Sequence, residues 1–352
     1  MNKFISFFIN ILLIAIAILS CNTASAHYQI ILNDDIDKYE IGKHIKYLQD
    51  DENKLTIDDI VQKEGQFIES TEIIPNFGYT TSSYWIKIDY EYQTDLVLDH
   101  KRYAIEIFYP LLDNIEVYHR DRFGTYQVSR RGDTQPFYYR TPLYRNYIIK
   151  FDAKPNQAET VYIKLQTRGA MRASLRILSD DHLLEHVSHI ELLYGLGFGM
   201  LLMMVVYNLF LFFSLRESVY LNYVCYTLAF LILQLSLTGY AYEYLWPSSV
   251  WLANYATSIW GSIFIFMSLM FMRSILQINI NMPKFDKVLK VILSAVAVGV
   301  VLCFVVDYGI TIRVLSAMGG IVATLLITVG IIGLKYKIRA ARYYVLGSGV
   351  LW

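Results

Sequence analysis

The stretch at residues 192–213, LLYGLGFGMLLMMVVYNLFLFF, contains no charged residue. As a helix rising about 1.5 Å per residue it would reach roughly 33 Å, which is enough to cross the hydrocarbon core of a bilayer. It is apolar on every side, unlike a helix on the surface of a soluble domain. The stretch therefore predicts a transmembrane helix that separates a polar, strand-like region from a second region rich in apolar segments.

The second region, residues 192–352, predicts an all-α polytopic bundle. Further spans are expected at 220–240, 250–271, 288–306 and 310–334, and a sixth helix begins near Tyr343. If residue 189 lies outside, the inside loops hold nine basic residues and the outside loops hold only Arg313, which fits the positive-inside rule. The inside residues are Arg216, Arg273, Lys284, Lys287, Lys290, Lys335, Lys337, Arg339 and Arg342. We expect a multi-pass membrane protein with its N-terminal domain outside.

The N-terminus is typical of a signal peptide at residues 1–26. Lys3 precedes an apolar run, and Ala24-Ser25-Ala26 is a small-residue cleavage site that would leave His27 first. A competing interpretation is a lipoprotein box in which Cys21 is the lipidated residue. No cysteine lies between residues 27 and 180, so no disulfide is predicted for the outside domain.

Residues 27–180 predict an all-β sandwich outside the membrane. In 84–92, Ile86 and Ile88 alternate with Lys87 and Asp89, and similar patterns recur at 103–109, 114–119, 126–128, 147–151, 161–165 and 173–178. Turn residues separate these segments at the spacing of an antiparallel sandwich. One short helix is expected after Thr56, a plausible N-cap followed by acidic residues.

Aromatic residues supply the candidate ligand site of the sandwich. Trp85, Tyr84, Tyr138 and Tyr139 combine flat apolar faces with polar tips, which suit sugar rings. The alternative is that they pack in the sheets, because aromatic residues are common on pleated surfaces.

Residues 181–191 are expected to link the sandwich to the membrane. His182, His186 and His189 would share one face of a helix, where neutral imidazoles could bind a divalent metal. The alternative is a polar segment entering the bilayer, and we predict no metal or other cofactor. The segment has no Gly or Pro before Gly195, so it could transmit motion.

Several function classes find no support in the sequence. No catalytic motif is present, so the chain is not expected to be an enzyme; Glu106 and Glu116 lie on strands, but nothing brings them together. The zero net charge gives no sign of nucleic-acid binding. The expected partners are the lipid bilayer and an extracytoplasmic small molecule or saccharide, which would bind the sandwich or its seam with the bundle. The G-x-x-x-G spacing of Gly195 and Gly199 predicts close contact with a second helix, which could belong to another copy of the chain in a homodimer. The alternative is that glycine is simply common in membrane helices.

Residues from about 40 to 352 resemble a family of bacterial receptors with seven membrane helices and diverse intracellular signalling modules. The resemblance is carried by these segments: Tyr47-Leu48-Gln49-Asp50, Leu55-Thr56-Ile57-Asp58-Asp59-Ile60, Asn76-Phe77-Gly78-Tyr79-Thr80, Tyr84-Trp85-Ile86, Gly132-Asp133, Pro136-Phe137, Arg140, Gly195-Leu196-Gly197-Phe198-Gly199, Tyr207-Asn208-Leu209-Phe210-Leu211-Phe212-Phe213, Ser214-Leu215-Arg216, Gln234-Leu235-Ser236, Gly239 and Tyr244-Leu245-Trp246-Pro247.

The resemblance implies a jelly-roll domain similar to carbohydrate-binding modules, a membrane bundle, and a cytoplasmic output such as a histidine kinase or diguanylate cyclase. This sequence stops in the sixth predicted helix, so we expect a truncated chain that lacks the output. The resulting hypothesis is a transmembrane signal-transduction receptor, which the resemblance places in the bacterial cytoplasmic (inner) membrane as a multi-pass protein with its N-terminal domain extracytoplasmic. The alternative is a membrane-anchored carbohydrate-binding or transport protein without signalling output.

Overall fold

The computed structural model describes residues 29–95, 101–121 and 123–351, with 347–351 described by backbone alone. The predicted signal peptide, including Cys21, lies outside the described residues. An all-β region is followed by a helical region, as the sequence predicts.

The two larger sheets of the β region share one core between their inner faces, which confirms the predicted sandwich. A seven-stranded sheet has the order β4-β3-β6-β11-β8-β9, with β1 added in parallel to β6, and a four-stranded sheet has the order β10-β7-β13-β2. A small third sheet pairs β12 with β5. The strands are β1 (Ile30–Leu32), β2 (Lys38–Glu40), β3 (Lys46–Asp50), β4 (Ile68–Glu69), β5 (Asn76–Tyr79), β6 (Ser83–Tyr92), β7 (Lys101–Ile107), β8 (Asn114–Arg120), β9 (Tyr126–Arg131), β10 (Tyr147–Ala153), β11 (Ala158–Gln166), β12 (Ala170–Arg172) and β13 (Leu175–Ser179).

Strand β6 lies in the middle of the larger sheet, and its alternating apolar and charged residues face opposite sides of that sheet. Ile86 and Ile88 are fully buried and pack in one cluster with Ile105 of β7 and Ile177 of β13, so the two sheets meet there. Lys87, on the opposite face, forms ion pairs with Glu64 and Asp89 at 3.2 and 3.4 Å. The jelly-roll connectivity implied by the resemblance stays a prediction.

The helix predicted after Thr56 is confirmed as α1 (Ile57–Gln62). The Thr56 hydroxyl accepts from the Asp59 backbone N–H at 3.4 Å, and the Asp59 carboxylate accepts from the Thr56 N–H at 2.9 Å. This reciprocal pair is a capping box, which satisfies two backbone donors that a helix start leaves free.

Helix α2 (Asp180–Leu215) runs without interruption through the predicted linker 181–191 and the predicted span 192–213. It begins at the residue after β13, where the Ser179 hydroxyl accepts from the His182 N–H at 3.3 Å. Residues 181–191 therefore belong to the same helix as the span, because they include no Gly or Pro that would interrupt it. A Cβ at Gly195 or Gly199 would meet nothing within 4 Å, so these glycines contact no other helix among the described residues.

Four helices among the described residues are long and apolar enough to cross a membrane: α2, α3 (Ser218–Leu237), α4 (Val250–Ile275) and α7 (Tyr308–Lys335). Helix α3 ends before the predicted 240, because Gly239 adopts a left-handed φ of 85°. Three more helices belong to the bundle: α5 (Ile278–Asn281), α6 (Pro283–Leu302) and α8 (Arg339–Leu351).

The span predicted at 288–306 differs from the structure in both bounds. Helix α6 begins at Pro283, which suits a first turn because proline lacks the N–H that a helix start leaves unbonded. Its first turns carry Lys284, Asp286, Lys287 and Lys290. Because these charges lie within the helix, at the predicted inner surface, α6 is not among the four helices that are apolar enough to cross a membrane.

Candidate functional site

A cavity of about 460 Å³ lies where the sandwich meets the bundle. We call it the seam cavity. The sandwich contributes loop residues Phe108–Leu111, the pair Arg145–Asn146 before β10, Arg172 of β12 and Arg176 of β13. The bundle contributes Tyr194 of α2, Thr238 after α3, Thr257 of α4, and Tyr308 and Ser316 of α7. The site therefore exists only when both halves of the chain pack together.

Arg145 connects the wall of the seam cavity to two membrane helices. Its Nε donates to Glu191 Oε1 of α2 at 3.3 Å, and its Nη1 donates to the carbonyl oxygen of Thr238 at 3.4 Å. The guanidinium lies 4.7 Å from the ring centroid of Tyr194 and 4.8 Å from that of Tyr240. The aromatic faces and the carboxylate stabilise a cation that is only 6% exposed.

Glu191 is also bonded to the segment that follows α3. The Tyr240 hydroxyl donates to Glu191 Oε2 at 2.7 Å, and burial together with this hydrogen bond to the carboxylate raises the pKa of Tyr240. Tyr240 therefore stays neutral and remains a donor at physiological pH. One carboxylate of α2 thus joins Arg145 of the sandwich to the outer end of α3.

A second buried polar group lies behind the cavity wall. Glu106 of β7 is fully buried; it accepts from Asn146 Nδ2 at 2.6 Å and pairs with Arg176 Nε at 3.1 Å. Buried carboxylates need such partners because burial removes their hydration. Asn146 Oδ1 has no hydrogen-bond partner in the described part of the chain, although Asn146 is only 4% exposed and lines the cavity.

The cavity wall carries positive charge. Arg145, Arg172 and Arg176 line it, and no acidic residue does among those that the structure describes. Glu191 and Glu106 form ion pairs with Arg145 and Arg176. Among the described residues, Arg172 has no ion pair or hydrogen bond from its side chain, and it is exposed. The arrangement favours a ligand with a negative group and polar atoms.

A second group of contacts also holds the sandwich on the bundle. The Arg140 guanidinium lies 4.4 Å from the ring centroid of Tyr147 and 5.4 Å from that of Tyr242, and the Phe137 N–H donates to the Pro247 carbonyl at 2.9 Å. Asp133 is buried beside this group, and its burial raises its pKa well above the ordinary aspartate value. The two halves therefore meet through ordered contacts.

The aromatic residues predicted to bind ligand lie in two different environments. Trp85 is fully buried, with its ring centroid 5.2 Å from that of Tyr118, and Tyr84 is 6% exposed. Tyr138 and Tyr139 are 60% and 66% exposed on a short 3₁₀ turn, with ring centroids 4.9 Å apart. Ligand binding by these residues stays a prediction, and only the second pair offers accessible rings.

The histidines of α2 have other contacts. The rings of His182 and His186 lie 6.1 Å apart, and His186 Nε2 lies 2.9 Å from Arg176 Nη1, a cation that disfavours a metal at that nitrogen. Within the described ranges, no group of three or more His, Cys, Asp or Glu side chains is placed to hold a metal ion. His182, His186 and His189 thus gain no support as a metal site.

Sequence reasoning offered the seam as one of two places for a ligand, but it did not name the arginines that line the seam cavity. One signal was present: Arg176 stands between Leu175 and Ile177 in a strand that is buried throughout. A charge in such a strand requires a partner or a ligand. The partner and the cavity, however, come from distant parts of the chain.

An all-β sandwich that packs on apolar helices, with a polar cavity at their seam, suits a membrane receptor. Residues 42–179 match the family model described as "7TMR-DISM extracellular 2", and residues 190–352 match the one described as "7TM diverse intracellular signalling". The chain belongs to this family of seven-helix receptors with diverse intracellular signalling. Its matched domains are receptor and sensor domains, and the protein is a membrane protein with an extracellular domain.

No curated protein matches the chain. Among solved structures, it is similar to a GH31 alpha-xylosidase from Xanthomonas citri, with 16% identity and a TM-score of 0.19. The similarity covers 38% of this chain and 13% of that enzyme's chain. At that score the similarity does not bear on fold or function.

Proposed function

We propose that the protein is a non-enzymatic signal receptor of the bacterial cytoplasmic membrane whose extracytoplasmic ligand binds in the seam cavity. The supporting observation is that Arg145 lines the cavity and also bonds to Glu191 of α2 and to the end of α3. A ligand that binds Arg145 would therefore change contacts to two membrane helices at once. Tyr79, Tyr109, Tyr194 and Tyr308 in the wall suit a ligand that carries a saccharide or other polyol.

The signal would pass inward as a shift between two arrangements of the helices. A ligand shifts such an equilibrium only to the extent that it binds one arrangement more tightly. Helix α2 suits this role because it begins at the end of β13 and continues to Leu215 without a break. A cytoplasmic module, such as a histidine kinase or diguanylate cyclase, would read the inner ends of the helices.

The relay can be tested without knowing the ligand. Spin labels at Leu215 and Ile280, both exposed near the predicted inner surface, report the distance between α2 and α5 in a lipid nanodisc, once native cysteines are replaced by serine. We expect Arg145→Gln to shift the distance distribution and Glu191→Gln to cause the same shift. The double variant should add nothing, because both changes remove one contact.

Arg102→Gln is the matched control. Arg102 is also an arginine of the sandwich, but its side chain is 66% exposed, and it forms an ion pair with exposed Asp152 at 3.7 Å. It should leave the distance unchanged. An unchanged distance in Arg145→Gln, or an equal shift in Arg102→Gln, would refute the relay.

A further inference from the structure

An apolar groove of about 230 Å³ continues from the seam cavity into the membrane-spanning part of the bundle. It lies between α3, α4 and α7. Leu237, Thr257, Ile312 and Ser316 line both the seam cavity and this groove. One molecule could therefore occupy the two spaces together.

The groove has the chemistry of a binding site for a hydrocarbon chain. Leu233, Phe264, Ile265 and Leu315 are among its lining residues, and none of its lining residues is charged. Along α7 it extends from Ile312 to Leu326, about 21 Å at 1.5 Å per residue. Since half the hydrocarbon core of a bilayer is roughly 15 Å thick, the groove follows the outer leaflet from its surface to its middle.

The seam cavity at the outer end of the groove has the chemistry of a polar, negatively charged head. Arg172 has no side-chain partner among the described residues, and Arg145 and Arg176 line the same wall. Asn146 Oδ1 and Thr257 Oγ1 are buried and find no hydrogen-bond partner within the described ranges, and Asn146 and Thr257 are only 4% and 3% exposed. Unsatisfied buried polar atoms cost free energy, so they favour a ligand that supplies hydroxyl groups.

We propose that the seam cavity and groove together bind a single-chain anionic phospholipid, with its phosphate at the arginines, its glycerol hydroxyls at Asn146 and Thr257, and its acyl chain in the groove. The proposal rests on the proposed function, because it names the ligand class of that same cavity. A fatty acid fits less well, since its carboxylate alone would leave most of a 460 Å³ cavity unfilled. The groove has half that volume and holds one chain.

The direct test is photocrosslinking of the full chain in phosphatidylcholine nanodiscs. The probe is lysophosphatidylglycerol with a diazirine on its acyl chain, and mass spectrometry locates the modified residues. We expect modification of groove residues such as Phe264 and Leu315, and competition by excess unlabelled lysophosphatidylglycerol. Lysophosphatidylcholine and free glycerol 3-phosphate should compete at least tenfold less well, because the first has no net charge and the second has no chain.

Two pairs of variants separate the head from the chain. Arg172→Gln should weaken binding by about tenfold or more, as expected for losing a charge-assisted hydrogen bond, whereas Arg102→Gln should not. Gly319→Leu should abolish groove modification because Gly319 lines the groove and its added side chain would fill it. Gly320→Leu is the matched control, since a Cβ there also meets nothing within 4 Å but Gly320 does not line the groove.

Each contrary result overturns a named part. Equal modification of lipid-facing residues of α2, unchanged in Arg172→Gln and Gly319→Leu, would mean simple partition into the bilayer and refute the site. Equal competition by glycerol 3-phosphate would refute the role of the groove, and equal competition by lysophosphatidylcholine would refute the anionic head. The spin-label test uses no ligand, so its failure would refute the relay and leave this site standing.

Discussion

Replacing Glu106 with Gln should destabilise the sandwich at its seam with the membrane. Glu106 is fully buried between Asn146 at 2.6 Å and Arg176 at 3.1 Å. Glutamine has nearly the same shape and still accepts from Asn146, so the change removes mainly the negative charge. The Arg176 side chain, only 9% exposed, is then a buried cation without its carboxylate.

Removing one partner of a buried ion pair costs about 3–5 kcal/mol. Because Arg176 also lines the seam cavity, where water can approach it, we expect the lower end, about 3 kcal/mol. At 1.4 kcal/mol for each factor of ten, this corresponds to about a 100-fold loss of protection of the backbone amides against hydrogen exchange. The assay is hydrogen exchange of the backbone amides of β7 and β13, measured on the full chain in nanodiscs.

Glu40→Gln is the control, because Glu40 lies opposite Arg176 in the register of the same sheet. Its ion pair with Lys38, at 2.9 Å, is exposed on both sides and is worth about 0–1 kcal/mol. If Glu106→Gln lost no more protection than Glu40→Gln, the ion pair would not hold the seam as described. The pair Glu106→Leu/Arg176→Met should cost less than the two single changes together, because it leaves no buried charge.

Two further predictions concern the aromatic candidates and the buried acid. Trp85→Ala truncates a core side chain and should lower the free energy of unfolding by roughly 3–5 kcal/mol. Tyr138→Ala should change it by less than about 0.5 kcal/mol. Thermal unfolding measures both, and a loss of saccharide binding in Trp85→Ala at unchanged Tm would contradict the placement of Trp85 in the core. Burial raises the pKa of Asp133 above its unfolded value of about 3.9, so the folded state holds a proton that the unfolded state releases. The Asp133 contribution to stability is then complete below about pH 4 and is lost as pH rises through the folded pKa. The Tm of the wild type should therefore rise relative to that of Asp133→Asn as the pH falls from 7 to 5, and parallel Tm profiles would show that Asp133 is not buried as described.

The strands and helices and their order along the chain were predictable, because each of them forms according to the pattern of residues that are close together in the sequence. The alternation of Ile86 and Ile88 with Lys87 marks a strand, the run at 192–213 marks a membrane helix, and Thr56 marks a helix start. The sequence also showed which side of the bundle is basic. It did not separate Trp85 in the core from Tyr138 on the surface, because both are aromatic residues in strand-rich sequence and burial depends on what packs against them.

The seam cavity depends on tertiary packing. Arg145 meets Glu191 and Thr238, which are 46 and 93 positions away along the chain, and no local pattern relates them. The sequence by itself determined that a sandwich precedes apolar helices, because hydrophobic periodicity records which local structure buries apolar surface. Only the packing of the sandwich on the bundle decided that three arginines of the sandwich line a cavity against the membrane helices, because that arrangement comes from contacts between segments that are far apart in the chain.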